Sequence, residues 1–193
     1  RVIAITGTNG KTTTTTLTGE IMKAHFGKDK TFVVGNIGNP YTLEADKTSK
    51  DSVTVGEISS FQLETIHTFH PVVSAILNIT PDHLNRHHTM EAYVAAKEAV
   101  ASQQTKADIC VLNYDNDYTR DFAGRCPATP VLFSSHQELE NGYFLRGDKI
   151  IKSVNGEEHE LMDIHKDMNL VGLCNVENVM AAIAIAEGMQ VPM

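Results

Sequence analysis

Apolar and polar positions fall into short blocks along this chain. Val2-Ile3-Ala4-Ile5 is an apolar run that predicts a buried strand, and Thr13 to Phe26 predicts a helix. Thr31 to Val34 predicts a second strand, ended by the Gly- and Pro-containing loop Gly35-Asn36-Ile37-Gly38-Asn39-Pro40. Ser52 to Ile58 predicts a third strand with Glu57 near its end, and Ser59 to Thr65 the start of a helix capped by Ser59 or Ser60. Pro71 to Ile79 is nearly all apolar, as in a strand buried on both faces. Met90 to Ser102 predicts a helix capped by Thr89, with Ala92, Ala95, Ala96 and Ala99 inside it. A fifth strand over Ala107 to Asn113, a short polar helix over Asp115 to Phe122 and a sixth strand over Val131 to Phe133 follow.

From Tyr143 the period changes. Tyr143 to Arg146, Lys149 to Val154 and His159 to Met162 predict short strands, joined at the turn signals Gly147-Asp148 and Asn155-Gly156. Asn175 to Gly188 predicts an Ala-rich closing helix. The whole predicts an α/β fold: a mostly parallel sheet flanked by helices, P-loop NTPase-like, with a small antiparallel ribbon near 143–162 appended to it.

The first strand and helix enclose Thr6-Gly7-Thr8-Asn9-Gly10-Lys11-Thr12-Thr13. Strand, glycine loop, Gly-Lys-Thr and helix is the layout of a phosphate-binding loop. Gly7 and Gly10 permit a tight turn that brings N–H groups close to phosphate oxygens, and the helix N-terminus adds free donors and partial positive charge. Lys11 supplies a cation for the β/γ-phosphates and Thr12 a hydroxyl for Mg²⁺. The loop is a shortened variant, because position 5 is Ile5, not glycine. The bland alternative is an ordinary glycine turn before a helix. Five consecutive threonines, Thr12 to Thr16, are mediocre helix formers, so packing and phosphate contact must hold this first turn. Ligands of open α/β sheets bind beyond the carboxyl ends of the strands. Lys11, Asn36, Glu57 and His83 all lie at or after predicted strand ends, so four stretches are expected to meet in one crevice.

The 193 residues can build a sizeable core, and a formal charge of −8 argues against broad nucleic-acid or anionic-membrane binding. Phosphate binding must then be local. No apolar run approaches the ~20 residues a membrane helix needs. Cys110, Cys126 and Cys174 form no disulfide or zinc framework, which suits the cytoplasm. The chain opens at Arg1 without an initiator Met, so it reads as a single domain, 1–193, cut from a longer protein and expected to be monomeric.

Several residues admit two readings. Glu57 is placed for a second Mg²⁺ ligand near the phosphate loop, or is a capping or ion-paired carboxylate. His83, His87 and His88 invite a zinc reading, but no third ligand stands at standard spacing. A single metal-ligating or substrate-facing His83, with His87 and His88 facing solvent, is the alternative. Lys97 shares a helix face with Tyr93, Ala96 and Val100, and composition alone reads it as a snorkelling surface lysine. Asn175 and Asn178, alone, are ordinary caps.

Taken together, Thr6 to Thr13, Asn78-Ile-Thr-Pro-Asp-His-Leu-Asn-Arg-His87, Glu91-Ala-Tyr-Val-Ala-Ala-Lys97 and Asn175-Val-Glu-Asn178 resemble the central ATPase domain of the Mur ligases over nearly the whole chain. Gly35-Asn-Ile-Gly38 and Glu57-Ile-Ser-Ser-Phe-Gln-Leu63 resemble most its D-glutamate-adding branch. The resemblance implies that ATP phosphorylates the carboxylate of UDP-N-acetylmuramoyl-L-alanine and that D-glutamate then attacks the acyl phosphate. It implies ATP on Gly7, Thr8, Asn9, Gly10, Lys11, Thr12 and Thr13, with Asn175 and Asn178 flanking adenine. It implies one Mg²⁺ on Thr12 and Glu57 and a second on His83 and an N-carboxylated Lys97, against the surface reading of that lysine. Asn36, Ser59 and Gln62 would face the muramoyl substrate, with Lys11, His83 and Lys97 as the catalytic set. Two positions depart: Cys174 stands where the family often has His, and Asn85 where Asp is common. The family's N-terminal uridine-nucleotide domain and C-terminal amino-acid domain are absent from these residues, so the isolated chain is expected to bind Mg-ATP and be largely inactive. The competing readings are a sister Mur or folylpolyglutamate-type ligase with another acceptor, a non-catalytic phosphate-loop module, and a hydrolytic zinc enzyme.

Overall fold

Alternate residues of the central strands face opposite helical layers. On β1 (Val2–Thr6), Ile3 and Ile5 join one apolar cluster and Ala4 the other. On β5 (Ile109–Asn113), Val111 joins the first cluster, Cys110 and Leu112 the second. Both faces of these central strands are therefore dry, which is why they read as unbroken apolar runs. The computed structural model describes residues 1–192.

The other strands are β2 (Thr31–Gly35), β3 (Val53–Glu57), β4 (Val73–Ile76), β6 (Thr129–Ser134), β7 (Gly142–Arg146), β8 (Lys149–Val154) and β9 (Glu157–Asp163). They form one nine-stranded sheet in the order β2-β3-β1-β4-β5-β6-β7-β8-β9. Pairings from β2 to β7 are parallel; β7-β8 and β8-β9 are antiparallel. The expected ribbon is thus continuous with the main sheet: β7 pairs with β6 through Phe133–Tyr143 and Ser134–Phe144.

The helices are α1 (Lys11–Phe26), α2 (Tyr41–Glu44), α3 (Ser60–Leu63), α4 (Leu84–His87), α5 (Met90–Glu98), α6 (Asp117–Ala123), α7 (Ile164–Asp167) and α8 (Leu173–Gly188). Met22 of α1 and the Ala- and Ile-rich face of α8 pack on one side of the sheet; Leu63, Tyr93 and Phe122, from α3, α5 and α6, pack on the other. The chain runs from β1 to the β2 edge, returns through β3, and crosses β1 to reach β4. The loop after β1 therefore lies where the strand order switches direction, the position at which such sheets bind ligands.

Several element ends differ from expectation. The fourth strand is Val73–Ile76, not Pro71 to Ile79, although Val72 N–H still donates to the Val2 carbonyl and Leu77 N–H to that of Thr6. Backbone bonding outlasts the strand by one residue at each end, and apolar pattern alone does not mark where the strand stops. The helix after Thr89 is α-helical to Glu98 and tightens into a 3₁₀ turn over Ala99–Ala101. The short polar helix starts at Asp117 rather than Asp115, with Asn116 capping it by accepting from Thr119 N–H. The last helix starts at Leu173 behind Gly172, so Asn175 and Asn178 are not its caps. Cys110, Cys126 and Cys174 are all free, the first two buried. No helix among the described residues is long and apolar enough to cross a membrane.

Candidate functional site

The loop after β1 turns into α1 through Gly10, whose φ of 84° is left-handed and suits glycine. A Cβ at Gly10 would lie 2.2 Å from Asn178 Oδ1, so the loop rests directly on α8. The Thr14 hydroxyl donates to the same Asn178 oxygen at 3.2 Å, and Asn178 Nδ2 donates to Asn175 Oδ1 at 3.3 Å. The two asparagines read as caps instead brace this glycine loop from behind.

Asn78, after β4, clamps the loop from the front. Its Oδ1 accepts from Asn9 N–H at 2.8 Å, its Nδ2 donates to the Asn9 carbonyl at 3.1 Å, and its carbonyl accepts from Thr8 N–H at 2.9 Å. The Thr8 hydroxyl meets the Tyr93 hydroxyl at 3.1 Å and accepts from Thr80 N–H at 3.0 Å. Sequence reasoning missed the work of both Asn78 and Tyr93. The signal for Asn78 was its position just past a strand, inside the motif already singled out; Tyr93 read as part of an apolar helix face.

Glu57 ends β3 and is 2% exposed. Its Oε2 accepts from the Thr12 hydroxyl and its Oε1 from Asn36 Nδ2, each at 2.9 Å. Gly35 makes this approach possible: a Cβ there would stand 2.2 Å from the Glu57 carbonyl oxygen, at a φ of 99°. Among the described residues Glu57 has no ion-pair partner. A buried carboxylate held by two neutral donors wants a cation, and a carboxylate next to a threonine hydroxyl is an all-oxygen donor set suited to Mg²⁺. The residues fit that ion.

Two ammonium groups converge on the loop. Lys11 Nζ donates to the Gly7 and Thr8 carbonyls, both at 3.0 Å, and Lys97 Nζ donates to the Gly7 carbonyl at 2.8 Å. Lys97 is 2% exposed, so the surface reading drawn from its helix face is overturned: α5 points this lysine inward, and its ammonium lies over the Tyr93 ring, 4.7 Å from Nζ to centroid. Burial, and behind it the Lys11 charge, lower Lys97 from 10.5 to about 7 against the opposing pull of Asp82. Burial also lowers Lys11, with Glu57 and Asp82 acting against it.

His83 has a left-handed backbone, φ 51°, rare outside glycine, and its ring lies 5.0 Å from Phe61 and 6.5 Å from Tyr93, centroid to centroid. His87, expected in solvent, is buried. Its Nε2 meets the Ser60 hydroxyl at 3.0 Å, its Nδ1 the Glu64 carboxylate at 3.3 Å, and its ring stacks on Phe61. His88 is exposed, as expected. The histidine zinc set does not assemble among the described residues, since His87 spends both ring nitrogens on α3 and its flank.

A cavity of about 240 Å³ gathers Gly7, Thr8, Lys11, Asn36, Ser59, His83 and Lys97 on its wall. Three of the four stretches expected to converge line it, and Glu57 is bonded to Asn36 just behind. Ser59 and Gln62 form a capping box on α3: Ser59 Oγ accepts from Gln62 N–H, and Gln62 Oε1 accepts from Ser59 N–H at 2.8 Å. Gln62 itself borders a separate, larger cavity of about 550 Å³, with Val34, Pro40 and Phe69.

A family model described as the Mur ligase middle domain matches residues 5–186. The chain is 58% identical over 193 residues to a UDP-N-acetylmuramoylalanine–D-glutamate ligase of Lachnoclostridium phytofermentans, and 57% identical over 192 residues to one of Lachnospira eligens. Both alignments cover 100% of this chain and 42% of the relative, so the chain spans less than half of their length. Among solved structures, a UDP-N-acetylmuramoyl-L-alanyl-D-glutamate–2,6-diaminopimelate ligase superposes with a TM-score of 0.77 at 26% identity, over 98% of this chain and 43% of that one.

Proposed function

The chain belongs to the Mur ligase family as its middle domain, and from that premise we propose that it is the ATP-binding domain of a UDP-N-acetylmuramoyl-L-alanine–D-glutamate ligase in peptidoglycan precursor synthesis. The γ-phosphoryl group passes from ATP to the alanyl carboxylate, giving ADP and an acyl phosphate. The amine of D-glutamate then attacks the acyl carbon, phosphate leaves and an amide forms. Positioning and charge stabilisation are the protein's share of such chemistry.

Backbone N–H groups of Gly7 to Thr13 would hold the phosphates, with Lys11 turning from the loop carbonyls onto the β/γ oxygens. Thr12 and Glu57 would hold one Mg²⁺; His83 and a carboxylated Lys97 would hold a second. Bound ions would offset the phosphate charge and orient the two reacting oxygens. Lys97 is suited to carboxylation because an amine lowered to about 7 is about half free base near neutrality, where an ordinary lysine is almost wholly protonated. That lone pair adds to CO₂, a proton leaves, and the cation becomes an anionic oxygen donor. Asn175 and Asn178 would sit beside the adenine; Asn36 and Ser59 would meet the muramoyl substrate, with Gln62 reaching it only from the neighbouring cavity. Further domains of the full-length protein would bring the uridine nucleotide and D-glutamate.

The observation that carries this reading is the burial of Lys97 on the Gly7 carbonyl beside Lys11. A non-catalytic nucleotide module needs Lys11, Thr12 and Glu57 but gives a buried second lysine nothing to do. The test is phosphate release by the full-length protein with Mg-ATP, UDP-N-acetylmuramoyl-L-alanine and a panel of amino acids. Release that requires D-glutamate is expected, as is its loss in Lys97→Ala with partial recovery on adding short carboxylic acids. Release with another amino acid would move the protein to a sister ligase. ATP binding without release under any acceptor would sink the ligase reading.

A further inference from the structure

A second group of ligating atoms lies at the same end of the sheet, on the loops after β5 and β6 and on α8. Asp115 follows β5, His136 follows β6 and Glu177 is on α8; one ligand atom from each lies within 4.8 Å of the other two. The Ser135 hydroxyl sits among them, 2.7 Å from Glu177 Oε1, 3.2 Å from Asp115 Oδ2 and 3.0 Å from His136 Nδ1. That hydroxyl has one proton to give and electron-rich atoms on three sides.

We propose that Asp115, His136 and Glu177 form a binding site for a divalent transition ion of the zinc class. Charge is the first argument. Neither carboxylate has a Lys or Arg partner among the described residues, and the single basic group in the cluster is the His136 ring, 3.2 Å from Asp115. Orientation is the second. His136 turns Nδ1 toward the carboxylates and has no partner on Nε2 among the described residues, so Nε2 can carry the ring proton while the Nδ1 lone pair meets a metal. Support of the ligands is the third. Asp115 is fixed from behind by the Ser134 hydroxyl at 2.6 Å and Ser135 N–H at 2.7 Å, as metal-bound carboxylates usually are.

The donor set selects the ion. One imidazole and two carboxylates suit Zn²⁺ with water in the fourth position, whereas Mg²⁺ prefers oxygen ligands and retains its waters. Zinc bonds of about 2.0–2.2 Å require the three ligand atoms to draw together. His136, 61% exposed, is free to close that gap. A filled site would tie the ends of β5 and β6 to α8, the helix that carries Asn175 and Asn178.

The test is calorimetric titration of the whole chain with ZnCl₂, without nucleotide or Mg²⁺. One equivalent is expected to bind, with affinity at least about tenfold weaker in His136→Ala and in Glu177→Gln. The same site should persist in Cys174→Ser, which removes the exposed thiol, and in Glu57→Gln, which alters the phosphate-loop carboxylate. Circular dichroism checks that each variant folds. Absence of zinc binding at millimolar concentration overturns the proposal. So does a site that survives His136→Ala and disappears in Cys174→Ser or Glu57→Gln.

Discussion

Burying the Lys97 amine makes the stability of this chain depend on pH. The folded state holds that proton less firmly than the unfolded chain, with 10.5 falling to about 7. Below about 7 both states are charged and the folded one bears the full cost of a buried ammonium; between about 7 and 10.5 only the unfolded chain stays protonated, so stability rises with pH; above 10.5 the cost is gone. Lys97→Met removes the charge and keeps most of the volume. In carbon-dioxide-free buffer its stability relative to the parent should be highest near pH 6.5 and fall by roughly 3–5 kcal/mol by pH 10.5, as an upper range. Urea unfolding at several pH values measures this, and a difference that does not change with pH would refute the assignment. None of this was legible in the helix face around Lys97, where a lysine among small residues reads as a snorkelling side chain. Motif resemblance alone set the surface reading aside, and the contact that buries the amine spans 90 positions, from Lys97 to Gly7. His87 failed for the same reason. Its burial depends on Ser60, Glu64 and Phe61, and no local pattern reports contacts so far along the chain.

At the scale of elements, the threonine run at the start of α1 was expected to rely on packing and phosphate contact. The structure divides its members. Thr12 reaches Glu57, Thr14 reaches Asn178, and Thr15 and, a turn later, Thr18 are buried with hydroxyls that meet no partner. These last two behave as small branched apolar residues carrying an unsatisfied polar atom. Replacing such a hydroxyl by a methyl of the same shape removes a desolvation cost. Thr18→Val, one turn beyond the loop, should therefore stabilise the chain by about 1 kcal/mol, without changing affinity for an ATP analogue. A destabilised variant in chemical denaturation would mean that the hydroxyl finds a partner in solution. Strand existence and type were readable because burial on two faces leaves long apolar runs. Strand ends were not: backbone bonds at Val72 and Leu77 lie just outside a strand confined to Val73–Ile76, and the apolar run continues past both.

At the scale of the molecule, the sequence signals gave strands, helices and a ribbon, but not the order β2-β3-β1-β4 that puts β1 in the interior of the sheet. That order decides where the site lies. It brings the loop after β1, Glu57 at the end of β3 and the segment after β4 side by side, so each of three chain segments braces the next. Asn78 clamps the loop in front, Asn178 supports it behind, and Glu57 holds Thr12 at the side. A site assembled from separate segments couples binding to global stability, because unfolding any one of them destroys it. A ligand at 100 times its dissociation constant adds about 2.7 kcal/mol, and 1 kcal/mol shifts the midpoint of a chain of this size by roughly 2–4 °C. Saturating Mg²⁺ with a non-hydrolysable ATP analogue should then raise the melting temperature of the isolated chain by about 5–10 °C. Lys11→Ala should abolish most of that rise while changing the unliganded midpoint little, since Lys11 bonds only to carbonyls of its own loop. An equal rise in parent and Lys11→Ala would place the nucleotide elsewhere, and no rise in either would mean that the braced loop needs the rest of the full-length protein before it takes ATP.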